Sequence, residues 1–218
     1  MRAAWLALTV LALAAHGQDP ATDPVIQVDF SNPGLSPSQW TMTLHPEGTG
    51  HFRSHMGKAP DSQPAQMDTP GVDRDIKVSA SFAAQVFGQA QRQKWFNEPC
   101  ESHLKVAFQG WKTFTYTGPQ GQGSCTFNYS KDKEMEALGD TMNAVAQTIV
   151  EGARLEMLLQ HDRLGLDAEI EYLTEAAADG RAQQICAIRE ILERLTHDDE
   201  VLDRVRKRAR ALLDRAVT

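Results

Sequence analysis

The chain has no apolar run long enough to cross a membrane, no Cys-x-x-Cys pair and none of the familiar catalytic signatures. Its one long apolar stretch, 3–15, falls short of the roughly 20 residues a spanning helix needs. The missing Cys-x-x-Cys weighs against a redox role. There is no Gly-x-Ser-x-Gly elbow and no His-Glu-x-x-His. The glycines of 118–123 lack a following Lys-Ser/Thr and do not open a helix, so they mark a turn and not a phosphate loop. Positive charge is also short: 22 Lys and Arg against 29 Asp and Glu give a formal charge of −7. Nucleic-acid binding needs clustered cations, and the balance here excludes a general role of that kind. The one basic cluster, Arg204, Arg206, Lys207, Arg208 and Arg210, alternates with Val205, Ala209 and Leu212 at helical spacing and reads as a solvated helix face.

What is present begins with an export pattern. Arg2 precedes an apolar run containing Trp5, Leu6, Leu8, Val10, Leu11 and Leu13, and Ala15-His16-Gly17 offers small residues for cleavage. We expect 1–17 to be a cleaved signal peptide, 18–24 a polar disordered lead, and the location to be secreted or periplasmic. No membrane span is expected in the mature chain. Export favours disulfides. Of the three cysteines, Cys100 and Cys125 flank a strand-like region, while Cys186 sits beside Ile185 and Ile188 in a helical pattern. The expected bond is therefore Cys100–Cys125, with Cys186 free.

Period-two alternation places a first strand at 25–30 through Ile26, Val28 and Phe30. A hairpin follows over 39–56, with Trp40, Met42 and Leu44 answered by Phe52, Ser54 and Met56 across a Gly-containing turn. Residues 58–72 are rich in Pro, Gly, Asp, Ser and Gln and read as a long exposed loop. Further strands are expected at 75–79, at 104–108 through Leu104, Val106 and Phe108, at 111–117 and at 125–129. A helix capped by Ser81 is expected over 82–96. The class is α+β: an antiparallel β-rich half, 25–130, with one helix, then a helical region, 131–218.

That region opens with a long helix over 130–161, capped by Ser130. Met135, Leu138, Met142, Val145, Ile149, Gly152, Leu155 and Leu159 form one apolar stripe. Three shorter helices follow, the first with Asp167 as N-cap and Gly180 as its stop. The segment from Leu155 through His161-Asp162 to Leu166-Asp167 recurs 36 residues later from Ile191 through His197-Asp198 to Leu202-Asp203. With Val205, Ala209 and Leu212 behind it, the second copy resembles a HEAT-type helical-hairpin repeat, over the C-terminal third only. The resemblance implies a helical scaffold and nothing sharper.

His45, His51 and His55 share the polar side of the hairpin alternation and are candidate metal ligands. Residues four apart on a strand lie about 13 Å apart, so solvated histidines are the simpler reading. The pairs His161-Asp162 and His197-Asp198 echo helical metal phosphohydrolases, but also suit helix C-termini. Glu134, Glu136, Glu151, Glu156, Glu169 and Glu171 read as solvated faces. Asn128-Tyr129-Ser130 fits a glycosylation sequon, with helix capping by Ser130 the better account. The reading leans away from an enzyme: a non-enzymatic interaction module with a protein partner, no cofactor and no assigned catalytic residue. The alternatives are a metal-dependent hydrolase using the histidines or the His-Asp pairs, and an inhibitor of a secreted protease acting through 58–72.

Overall fold

The computed structural model describes residues 23–56 and 70–216. The expected signal at 1–17, most of the lead and most of the 58–72 loop lie outside the described residues.

Six strands form one antiparallel sheet: β1 (Val25–Ser31), β2 (Gln39–Leu44), β3 (Thr49–Ser54), β4 (Val72–Lys77), β5 (Trp111–Gly118) and β6 (Gly121–Phe127), in the order β4-β3-β2-β1-β5-β6. The α+β class and the helical second half are as the sequence indicates. Alternation sets the faces. Ile26, Val28 and Phe30 on β1, Trp40, Met42 and Leu44 on β2, and Phe114 and Tyr116 on β5 are all buried. On the opposite face the register aligns polar side chains across the strands. Thr126, Thr113, Asp29, Thr41, Arg53 and Asp73 form one row, and Thr115, Gln27, Thr43, His51 and Asp75 belong to the next.

Five helices follow the strand pattern: α1 (Ala80–Arg92), α2 (Lys133–His161), α3 (Leu166–Asp179), α4 (Arg189–His197) and α5 (Asp203–Arg215). The stripe on α2 is buried along its whole length. Met135, Leu138, Met142, Val145 and Ile149 join the aromatic residues of the sheet in one cluster, whereas Leu155, Leu158 and Leu159 join the residues of α3, α4 and α5 in a second. Gly152 lies at the seam, where a Cβ would stand 2.3 Å from Ile188 Cγ2. Edge strand β4 is tied to the same helix by Arg74, which holds Glu156 bidentately at 2.9 and 2.6 Å.

Several local expectations need correction. The strand expected at 75–79 begins at Val72, because Val72, Arg74 and Ile76 share the inner side and pair along β3. The cap of α1 is Ser79 and not Ser81, its Oγ accepting from Phe82 N at 3.2 Å. That helix ends at Arg92, since Lys94, Trp95 and Phe96 all take positive φ. This left-handed turn seats Trp95 on Tyr116, with ring centroids 4.3 Å apart. The cap of α2 is Asp132 and not Ser130. Asp132 Oδ1 accepts from Glu134 N and Met135 N, while Ser130 Oγ accepts from Asp132 N just before the helix. Asp167 is not a cap either; it lies inside α3 and pairs with Arg204 at 2.7 Å and Arg208 at 2.9 Å. Those pairs, with Lys207–Asp203, Arg206–Asp199 and Arg208–Glu171, make much of the basic cluster a set of ion pairs more than a bare solvated face. No strand forms at 104–108.

The repeated segments occupy two helix corners, α2 into α3 and α4 into α5. The match is imperfect: Leu166 is fully buried, whereas its counterpart Leu202 is 44% exposed. No helix among the described residues is long and apolar enough to cross a membrane.

Candidate functional site

The disulfide Cys100–Cys125 is formed, with Cα atoms 5.9 Å apart. Cys186 is free and half-buried, and burial pushes its thiol pKa up. The bond ties the segment after α1 to edge strand β6. From there the backbone is fastened again. Ser102 N donates to Tyr129 O at 2.9 Å, and Glu101 accepts from Asn128 N at 2.6 Å. Those backbone donors hold the Glu101 carboxyl below its ordinary range against the opposing effect of burial. Asn128 then braces the far end: its Oδ1 accepts from Gln109 N at 2.7 Å and its Nδ2 donates to Ala107 O at 3.3 Å. The sequon asparagine is thus an internal support, not an accessible glycan acceptor.

Between these anchors, residues 103–109 are all exposed. Leu104 and Phe108 are each 50% exposed and Val106 40%. The alternation that suggested a strand is real, but the segment pairs with no strand. Val106 N closes back on Leu104 O at 3.0 Å instead, a tight turn within the segment. Trp111, also exposed, meets Phe108 edge-on with centroids 6.0 Å apart. Gly110 makes the transition into β5 with φ 110°, and a Cβ there would stand 2.6 Å from the Phe30 ring. No other residue type permits both that backbone and that approach.

At the same end of the sheet lies the connection from β1 to β2. It is closed by Asn32 N donating to Ser38 O at 2.8 Å and contains a cis Ser36–Pro37 peptide. Beneath it is a half-open cleft of about 220 Å³. Phe30, Trp40, Leu35, Pro37, Ala146 and Val150 supply its apolar walls. Phe30 and Trp40 stack at 5.4 Å with 16° between their planes. Ser36, Gln109, Asn143 and Gln147 supply its polar atoms, and no charged residue lines it. Pinned segment, exposed apolar side chains and neutral cleft together form the candidate site.

Two buried ionisable side chains that sequence reasoning missed lie on β5 and α2. Lys112 shares the inward side of β5 with Phe114 and Tyr116 and is 2% exposed. Its ammonium donates to Asn128 O at 3.1 Å, stands 4.0 Å from Glu136 and lies 5.0 Å over the Phe127 ring. Glu151, read as part of a solvated face, is fully buried. Loss of water, then the neighbouring Glu169 carboxylate, pushes its pKa up to about 9. Arg154 Nη1 approaches both carboxyls, at 3.2 Å from Glu151 and 3.6 Å from Glu169. Glu156 is also engaged, by Arg74. Glu151 and Glu156 sit at unremarkable helical spacings, so only the tertiary structure shows what engages them.

The proposed metal ligands are not gathered. His51 donates or accepts at both ring nitrogens, with Asp75 at 2.9 Å and Asp73 at 2.8 Å, and these carboxylates raise its pKa. His45 is level with Thr49 and His55 with Gln39, at opposite ends of the β2–β3 pair. His161 ends α2, and Asp162 follows it as the C-cap. His197 ends α4 with Nδ1 2.7 Å from Glu193 O, and Asp198 is ion-paired to Arg163 at 3.3 Å. Among the described residues no group of three or more His, Cys, Asp or Glu is arranged to hold a metal ion. No protein family matches the chain, and no curated protein matches it.

Proposed function

We propose that this chain is an exported, non-enzymatic protein-interaction module, and that its contact surface is the sheet end formed by 103–109, Trp111 and Leu35. The observation that carries the reading is the exposure of Leu104, Val106, Phe108 and Trp111 on a segment held at both ends by a disulfide and by Asn128. Contiguous exposed apolar side chains favour a partner, and a pre-ordered segment loses little further entropy when one binds. The disulfide fits an extracellular location, and the export pattern at 1–17 supports secretion or the periplasm.

The test is affinity capture from the exported fraction, using the wild-type chain beside a Leu104→Ser, Val106→Ser, Phe108→Ser variant. A stoichiometric partner retained by the first and lost by the second supports the surface. Equal capture by both, with the variant folded, overturns it.

A further inference from the structure

The neutral cleft has a polarity of its own, which deepens the interaction-module reading. Glu169 Oε1 is buried and accepts no hydrogen bond. Arg154 Nη1, 3.6 Å away, is too distant to supply one. A proton on the adjoining Glu151 carboxyl supplies it, and burial keeps that proton in place at neutral pH. With its proton directed to Glu169, Glu151 presents Oε1 as an acceptor, and Gln147 Nε2 donates to it. The order of donors therefore runs outward from the buried pair. It leaves Gln147, at the cleft wall, with its carbonyl oxygen to accept from whatever enters.

Size and charge narrow the occupant further. An apolar cavity of about 150 Å³ accepts a benzene ring, and this cleft is about 220 Å³. Its uncharged lining disfavours an ionised guest, which would lose its water without a counter-charge. The stacked Phe30 and Trp40 rings offer an aromatic wall. Gln109, the last residue of the exposed segment, also lines the cleft, so a chain lying along 103–109 can place a side chain in it. We propose that the cleft receives one neutral aromatic side chain bearing an O–H or N–H donor, tyrosine or tryptophan, from a partner polypeptide, with that donor on Gln147 Oε1.

The proposal rests on the interaction-module reading, but its test needs no partner. The intact oxidised protein is titrated with p-cresol and with 4-methylanisole, which has a similar ring and no donor, following the side-chain amide signals of Gln147, Asn143 and Gln109 by NMR. p-Cresol should shift those signals and bind about three- to tenfold more tightly, the ratio one hydrogen bond gives. Gln147→Met should abolish that preference while ring binding persists. Ala146→Leu, which fills the cleft, should remove both; should it fail to fold, the wild-type comparison still decides. Equal affinities in the wild type, or shifts confined to other residues, overturn the assignment. A capped Ala-Tyr-Ala peptide should bind more tightly than p-cresol, and failure of the peptide alone overturns the polypeptide source. Cleft binding without a captured partner would refute only the module reading.

Discussion

Around the first half of α2 the core is built from aromatic rings, and around its second half the cluster contains none. Phe30, Trp40, Phe52, Phe82, Phe96, Phe114, Tyr116 and Phe127 fill the first, while the second is Leu, Ile, Val and Ala throughout. The contrast follows from what each half packs against. Side chains stand away from a sheet, and the gap to a helix above it is spanned by large flat groups that also suit extended backbone. Helices approach one another to about 8–10 Å and interlock through ridges of aliphatic side chains. Gly152 allows a close approach of Ile188, and Glu151 lies in the same turn. One helix thus serves two kinds of core, and buried Thr148 and Glu151 make its seam polar.

The first way to break this arrangement is Val145→Asp, which buries a charge without a partner in the sheet-side cluster. It should cost about 4 kcal/mol or more. If α2 couples the cores, Trp fluorescence and helical circular dichroism should lose stability together. Two well-separated transitions in the unmutated protein would show independent halves.

A Cys100→Ser, Cys125→Ser double variant removes a covalent link on the sheet side. It should cost roughly 3 kcal/mol by loop entropy, measured by urea unfolding under non-reducing conditions. It should also expose 103–109 to proteolysis before the helical half.

At the seam, Glu151 gives a pH signature. Its folded pKa is raised to about 9 from an ordinary 4.5, so its contribution is complete below about pH 4.5 and is lost as pH rises toward 9. Stability should fall on the order of 1 kcal/mol per pH unit within that window. Glu151→Gln, uncharged at every pH, should flatten the dependence; an unchanged slope in the variant would remove Glu151 as its source. Gly152→Ala places a methyl against Ile188 and should cost about 1–3 kcal/mol, read from the same unfolding curves. The smallest effect belongs to the exposed segment: Leu104→Ser with Phe108→Ser should change stability by about 0.5 kcal/mol or less while weakening partner capture.

Much of the architecture was legible because it depends on period. The alternation of Ile26, Val28 and Phe30, and the three-and-four spacing from Met135 to Leu159, report one buried side in any context. The same rule failed at Leu104, Val106 and Phe108. Their alternation carries no information about whether a neighbouring strand is available, and the chain between Ser102 and Gly110 is held out from the sheet by Asn128 and Gly110. The end of α1 was misjudged for a related reason. Lys94, Trp95 and Phe96 have ordinary helical tolerance, and nothing in their spacing signals the left-handed turn that seats Trp95 on Tyr116.

By itself the sequence determined the strand faces, the long apolar stripe and the pairing of Cys100 with Cys125, since each follows from side-chain chemistry and spacing along one chain. The candidate site was decided by tertiary structure alone. A glutamate at a helical spacing is solvated or buried according to what packs over it, and Glu151 lies beneath α3 beside Glu169. An apolar residue on a strand-like run is core or contact surface according to whether another layer covers it, and Leu104 and Phe108 are left half exposed. Burial is a property of the assembled layers, and local pattern does not encode it.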